Sequence, residues 1–359
     1  MDGYGVRHRD LSGASPTSPL RLRVVGELKA GDPSGSKLGE GEAVRIMTGA
    51  PLPAGADAVV RVEDTDAETV PGTVLISVCP EAGKDVRPGG QDMKEGEEVL
   101  SAGTTVGPGQ VGLLAASGTE GVPVRRRPRV AILSTGDELA PGPEFHRVKA
   151  GDAIPETNAP TLMAAVQAAG GLPLHLGIAR DDRDSLLEKV RLARELRADV
   201  LLTSGGASMG EFDLVKRVLG EEGLELDFWR VKMRPGTPFS FGHLPGSDTP
   251  LPVFGLPGNP ASSFVTFQVF VRPFLLRLAG HSRIHRPVFR AKAGEPLRSP
   301  NHLTHFLRVT LEGDPTRPVV WLAGSQTSGL VKGQGLASGL AVVPEGTEEL
   351  REGQDVSVV

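Results

Sequence analysis

A single cysteine, Cys79, stands in the 359 residues. That excludes an internal disulfide framework and every metal site built on several cysteines, and it suits a reducing cytoplasm. No apolar run reaches membrane-spanning length and no signal-peptide pattern opens the sequence, so the chain reads as cytoplasmic with no membrane contact. Basic charge is scarce as well: a net charge of -5 leaves no electrostatic footprint for nucleic acid. The only dense basic run, Arg125 to Arg127, precedes a strand-like stretch and reads as a solvated linker. What remains is ordinary globular material, with 39% hydrophobic and 23% charged residues, enough for two to four domains. Gly 47 and Pro 30 stay below the level that signals disorder and promise tight turns.

Texture divides the chain. Residues 1 to 8 are too short to be a unit. From 9 to 84, short β-branched runs at 23–25, 44–47, 58–62 and 74–78 alternate with Gly/Pro turns, predicting a small β domain. Residues 85 to 127 carry more glycine and charge, with one helix expected over 109–117, and read as a connector. From Pro128 to 281, strands alternate with helices, which predicts a doubly wound, mostly parallel α/β sheet. The expected strands are 130–133, 172–178, 200–203, 226–231 and 252–256. The expected helices run from an Asn158 N-cap to Gly170, from 183 to 197, from about Asp213, and as one long apolar helix ending at Leu278. From 282 to 359 the chain is β-rich again, with strands expected at 306–311, 319–322, 340–343 and 356–359. The fold class is therefore multi-domain α/β plus β: a central doubly wound sheet flanked by a small β domain and a C-terminal β domain.

Ligands of an open parallel sheet bind beyond the carboxyl ends of its strands, and the unusual stretches of the middle domain fall there. Ser134-Thr135-Gly136-Asp137-Glu138 follows the first strand, Arg180-Asp181-Asp182 the second, Ser204 to Asp213 the third, and Leu256-Pro257-Gly258-Asn259-Pro260 the last. One rim so collects Asp137, Glu138, Asp181, Asp182, Glu211 and Asp213. Clustered carboxylates repel an anion unless a hard cation intervenes, and Mg2+ prefers oxygen ligands and substrate phosphates. Hydroxyls of Ser134, Thr135, Ser204 and Ser208, with backbone amides around Gly205 and Gly206, are anion ligands. Together they point to a phosphate-bearing ligand and phosphoryl or anhydride chemistry. The eight histidines lie outside these motifs, so Ser-His-Asp and Cys-His catalysis are not credible, and His175 reads as a core or surface residue.

These motifs carry a resemblance. MDGYGVR at 1–7, RIMTGAPLPAGADAVV at 45–60, VRPGGQDM at 86–93, LSTGDEL at 133–139, SGGASMGEFD at 204–213, MRPGTPFSFG at 233–242 and GLPGNPASS at 255–263 resemble the molybdopterin molybdenumtransferases, the bacterial MoeA type related to the E domain of gephyrin. The likeness covers essentially the whole chain in order. It implies a four-domain, elongated homodimer that inserts molybdenum from molybdate into adenylylated molybdopterin, with Mg2+-assisted release of AMP. By motif match, Glu138, Asp181 and Asp213 would be the middle-domain acids, serving metal, ligand positioning or proton transfer. Asp2, Thr48 and Asp92 would approach the cleft from the partner subunit. Thr135, Gly136, Asp137, Ser204, Gly205, Gly206, Ser208 and Arg234, with the loop Pro257, Gly258, Asn259 and Pro260, would bind substrate. Expected protein partners are the molybdopterin adenylyltransferase and recipient molybdoenzymes. Two other readings stay open: a non-catalytic molybdopterin-binding scaffold, and a pyrophosphatase-like hydrolase on the same middle domain.

Two departures from the family pattern stand out. Members carry a few dozen residues ahead of the DGY motif, so 1–8 and 85–127 are expected to be the remnant of an elongated first domain. Where members have lysines in a KPGKP stretch, this chain has Arg234 and Thr237, leaving anion contact to Arg234 or Lys232.

Overall fold

The computed structural model describes residues 1–35, 37–205, 214–246 and 249–359. The chain divides into two compact units, Met1–Val99 and Leu100–Val359.

In the first unit, short β-branched runs between turns build a five-stranded sheet. Its strands are β1 (Gly3–Val6), β2 (Leu20–Leu28), β3 (Glu42–Ile46), β4 (Ala58–Arg61) and β5 (Thr73–Ile76), in spatial order β4-β1-β3-β2-β5. Successive side chains of a strand point to opposite faces. Ala58 and Val60 accordingly join Tyr4, Leu22 and Val74 in one core, while Val59 joins Leu38, Val44 and Ile46 in another. Residues 1 to 8, set apart on sequence, supply β1 between β3 and β4. The Gly-Tyr-Gly stretch has no apolar run to announce a strand; the ladders on both sides make it one.

The second unit opens on α1 (Pro108–Ala116), started by proline in the first turn and by Gln110 Oε1 accepting from the Gly107 amide at 3.1 Å. The central part then runs through β6 (Arg129–Thr135), β7 (Leu139–Ala140), α2 (Phe145–Ala150), β8 (Ile154–Pro155), α3 (Asn158–Ala168), β9 (Leu172–Ala179), α4 (Arg183–Glu195) and β10 (Val200–Ser204). It continues with α5 (Leu214–Glu221), β11 (Glu225–Trp229), β12 (Met233–Arg234), β13 (Ser240–Leu244), β14 (Leu251–Leu256), α6 (Pro260–Thr266) and α7 (Arg272–Leu278). The main sheet has the order β11-β13-β14-β10-β6-β9. β14, β10, β6 and β9 are parallel, and β13 and β11 add an antiparallel edge.

Alternate residues of β6 feed the two faces of this sheet. Val130 and Ile132 pack with Leu162 and Val166 of α3 and with Phe267 and Leu275 of the last helical stretch. Ala131 and Leu133 pack with Leu186 and Val190 of α4 and Val218 of α5. Each such fully buried aliphatic side chain contributes about 1.5–3 kcal/mol relative to exposure. Burial on both faces is why these strands read as apolar runs. The helix expected to run unbroken to Leu278 is divided by a π-helical turn, Phe267–Val271, ahead of Pro273, which lacks the N–H to continue a regular ladder.

The C-terminal part comprises β15 (Phe289–Ala293), β16 (Leu297–Arg298), β17 (Thr304–Glu312), β18 (Val319–Leu322), α8 (Lys332–Leu336), β19 (Gly339–Val343), β20 (Glu349–Leu350) and β21 (Asp355–Val358). The pairings β17-β18-β15-β21-β19 return to β17 and close a barrel, which removes exposed edges. β12 adds in parallel to the start of β17 and so fastens the barrel to the central part.

Candidate functional site

β6 ends on two buried hydroxyls, Ser134 and Thr135, and the chain then turns at Gly136, whose φ is 140°. A Cβ at Gly136 would lie 2.6 Å from Glu138 Oε2, so only glycine lets the Glu138 carboxyl fold back over the turn. At the end of β10, Gly205 has φ 98°, and a Cβ there would lie 2.5 Å from the Thr135 carbonyl oxygen. The second of these close approaches brings the ends of the neighbouring parallel strands β6 and β10 together.

Beyond them lies a cleft of about 1050 Å³. Thr135, Gly136, Glu138, Asp181, Ser204 and Gly205 line it, as does the whole loop Pro257, Gly258, Asn259 and Pro260. Leu139, Ile154, Pro155 and Pro238 supply apolar lips, Arg217 of α5 a cation, and Gly329 and Val331 a wall from the C-terminal part.

Within each adjacent acid pair the two carboxylates have different situations. Asp137 Oδ1 accepts from the Asp181 amide at 3.4 Å, and Asp182 Oδ1 accepts from the Ser185 amide at 2.8 Å, capping α4. Glu138 and Asp181 face the cleft, and neither carboxylate has a partner among the described residues. Thr135 is 4% exposed, and its Oγ1 has no hydrogen-bond partner among the described residues.

Several expected residues fall elsewhere. Gly206, Ser208, Glu211 and Asp213 lie outside the described residues. Arg234 belongs to β12, exposed and opposite His305 of the barrel, and does not line the cleft. Lys232 Nζ pairs with Glu345 at 3.3 Å, and the Thr237 hydroxyl donates to the Met233 carbonyl at 2.7 Å. In the first unit, Asp2 Oδ1 accepts from the Thr48 amide at 2.8 Å and the Thr48 hydroxyl at 2.9 Å. Those two bonds, the amide first, hold the Asp2 carboxyl below its ordinary pKa. Asp92 lies in an exposed loop of the same unit.

Other contributors carry little sequence signal. Asn158, expected as a helix cap, is the first residue of α3; the capping bond comes from Glu156, whose Oε1 accepts from the Ala159 amide at 2.7 Å. Ser328 is joined to the loop by Asn259 Nδ2, which donates to Ser328 Oγ at 3.1 Å, and by the Ala261 amide, which donates to the Ser328 carbonyl. Arg308 of β17 holds the segment carrying Ser328 through the Ser325, Thr327 and Leu330 carbonyls. Arg217 is the fourth residue of α5, in a Leu-Val-Lys-Arg start that reads only as an amphipathic helix.

A carboxyl-edge cleft with uncommitted acids and hydroxyls, in a chain that also carries a small β unit and a closed barrel, defines a class of multi-domain protein built around one ligand-binding α/β sheet. Family models match it region by region: "MoeA N-terminal region (domain I and II)" over residues 1–118, "Probable molybdopterin binding domain" over 131–277, and "MoeA C-terminal region (domain IV)" over 290–359. The chain belongs to the molybdopterin molybdenumtransferase family. It is 35% identical to the molybdopterin molybdenumtransferase of Nostoc sp., covering 100% of this chain and 81% of that protein. With molybdopterin molybdenumtransferase 2 of Mycobacterium tuberculosis it shares 36% identity, over 100% of this chain and 87% of the relative. The solved molybdopterin biosynthesis MoeA protein of Pyrococcus horikoshii superposes with a TM-score of 0.84 at 27% identity, covering 100% of this chain and 86% of that one.

Proposed function

We propose that this chain inserts molybdenum from molybdate into adenylylated molybdopterin and releases AMP with the help of Mg2+. Its family makes it an enzyme of molybdenum cofactor biosynthesis. The observation that carries the finer reading is the cleft itself, where Glu138 and Asp181 have no partners among the described residues and stand beside hydroxyls and amides suited to phosphate. Retention of both acids argues against a scaffold that has lost its chemistry.

The donor set fits Mg2+, which binds through one or two carboxylates together with substrate phosphates. Glu138 and Asp181 would hold it; among the described residues no group of three or more His, Cys, Asp or Glu could hold a metal, and the third expected acid, Asp213, lies outside them. Bound there, the ion would neutralise phosphate charge and polarise the anhydride. The chain's own groups do the rest. Thr135 and Ser204 offer hydroxyl donors to phosphate oxygens, Arg217 adds positive charge, and Leu139, Ile154, Pro155 and Pro238 border the cleft with apolar surface. The bond broken joins the adenylate phosphate to molybdopterin phosphate: a water molecule adds its oxygen to phosphorus, giving AMP and molybdopterin phosphate, and molybdate exchanges one oxygen, released as water with the two thiol protons, for the two dithiolene sulfurs.

The proposal extends to a cytoplasmic homodimer in which Asp2, Thr48 and Asp92 of one protomer complete the cleft of its partner, with the adenylyltransferase and recipient molybdoenzymes as further partners. The pre-formed, anionic Asp2–Thr48 pair on an exposed surface supports this. The experiment is to incubate the protein with adenylylated molybdopterin, molybdate and Mg2+, following AMP release and reconstitution of an apo-molybdoenzyme. Both are expected; AMP release without reconstitution would favour a hydrolase, and neither would leave only a binding module.

A further inference from the structure

The stretch 156–159 is tied to three strand ends at once. Glu156 Oε1 accepts from the Ser134 hydroxyl at 3.0 Å, at the end of β6. Asn158 Nδ2 lies 2.7 Å from Ser204 Oγ, at the end of β10, and 2.7 Å from the Gly258 carbonyl oxygen, beyond β14. A carbonyl can only accept, so Gly258 fixes which end of the Asn158 amide faces it. The second hydrogen of the same NH2 group then goes to Ser204, whose oxygen accepts. A serine hydroxyl has one proton, and no group among the described residues takes it. Ser204, 2% exposed, thus keeps a donor in reserve at the cleft, beside the unpartnered Thr135 hydroxyl.

We infer that Asn158 is a positioning residue of this cleft: by donating to Ser204 it leaves that hydroxyl as a donor for an anionic oxygen of the substrate, and by donating to Gly258 it sets the Pro257–Pro260 loop at a fixed height. Asn158 acts through Ser204, so its loss is felt as lost binding of a phosphate group in ground and transition states alike. The inference rests on the reading of the cleft as the site of adenylylated molybdopterin.

The test uses the full chain, adenylylated molybdopterin, molybdate and Mg2+, with AMP release followed over a range of adenylylated molybdopterin concentrations. An inactive wild-type chain overturns the functional reading and this inference with it. Given an active wild type, Asn158→Asp keeps the shape but puts an acceptor where two donors stood; KM is expected to rise about tenfold with kcat within about threefold. Ser204→Ala is expected to raise KM similarly, and the double variant to be no worse than the more impaired single, because both remove the same hydroxyl donor. A KM for Asn158→Asp within about twofold of wild type, or losses that simply add in the double variant, overturn the inference while leaving the functional reading standing. If Asn158→Asp fails to fold, Asn158→Ala enters the same cycle, and additivity there is equally fatal.

Discussion

In the C-terminal barrel, the guanidinium of Arg308 is 1% exposed and donates to the side chain of Gln326 and to three backbone carbonyls. At the carboxyl edge of the central sheet, the buried Thr135 hydroxyl has no partner among the described residues. An unmade buried hydrogen bond costs about 1–3 kcal/mol, so the two regions treat the same physical problem differently. The barrel satisfies its charge because the charge organises a loop. His305 of the barrel is a different case: its Nδ1 also lacks a partner among the described residues, and burial first, then the positive charge of Arg234, lowers its pKa to about 4 and keeps the ring neutral. Among the described residues, the rim of the sheet instead leaves Thr135, Glu138 and Asp181 uncommitted and commits their neighbours Asp137 and Asp182. Uncommitted polar groups gathered in one cleft mark where a ligand completes the structure.

The largest expected effect sharpens the rim side of that contrast. Glu138→Gln should lower AMP release by roughly 10²–10³-fold, about 3–4 kcal/mol of transition-state stabilisation, while the melting temperature stays near wild type; steady-state kinetics beside a thermal melt checks both. The barrel side predicts the opposite pattern for Arg308→Ala. Stability should fall by about 3 kcal/mol in urea titration, because several carbonyls lose their donor together.

A pH titration of stability probes His305. Its folded pKa lies below the ordinary value of about 6.5, so the unfolded chain binds the extra proton between the two. The contribution is fully present above about pH 6.5 and is lost as pH falls towards 4, with a slope approaching about 1.4 kcal/mol per pH unit at most. His305→Gln should flatten that slope, and an unchanged slope would show that the ring is not the titrating group. The smallest effect is expected from the capping carboxylate: Asp182→Ala should cost about 1 kcal/mol of stability, read as a shift of the urea midpoint.

Much of the central sheet was legible because its strands are buried on both faces and read as apolar runs ending in polar turns, as at Val130 to Glu138. β1 and β13 were not, since Gly-Tyr-Gly and the short Ser240–Leu244 stretch owe their strand form to ladder partners. At the site, adjacent acids are indistinguishable in sequence. Only the fold shows that Asp182 caps α4 while Asp181 faces the cleft. The cleft contacts of Asn158, which was expected only as a helix cap, and the role of Arg308 escaped notice for a related reason. Asn158 bonds to Ser204 and Gly258, 46 and 100 residues away, and no local pattern encodes such partners. The Asp2–Thr48 pair came into view through family resemblance alone, its two members also 46 residues apart.

The claim that uncommitted rim groups carry the chemistry is tested most directly by comparing Asp181→Asn with Asp182→Asn in AMP release from adenylylated molybdopterin in the presence of molybdate and Mg2+. The two substitutions remove the same charge from adjacent positions. Asp181→Asn is expected to lose AMP release by about two orders of magnitude or more at unchanged stability, and Asp182→Asn to retain it within a few-fold. Equal losses in both, or a larger loss in Asp182→Asn, would contradict the account.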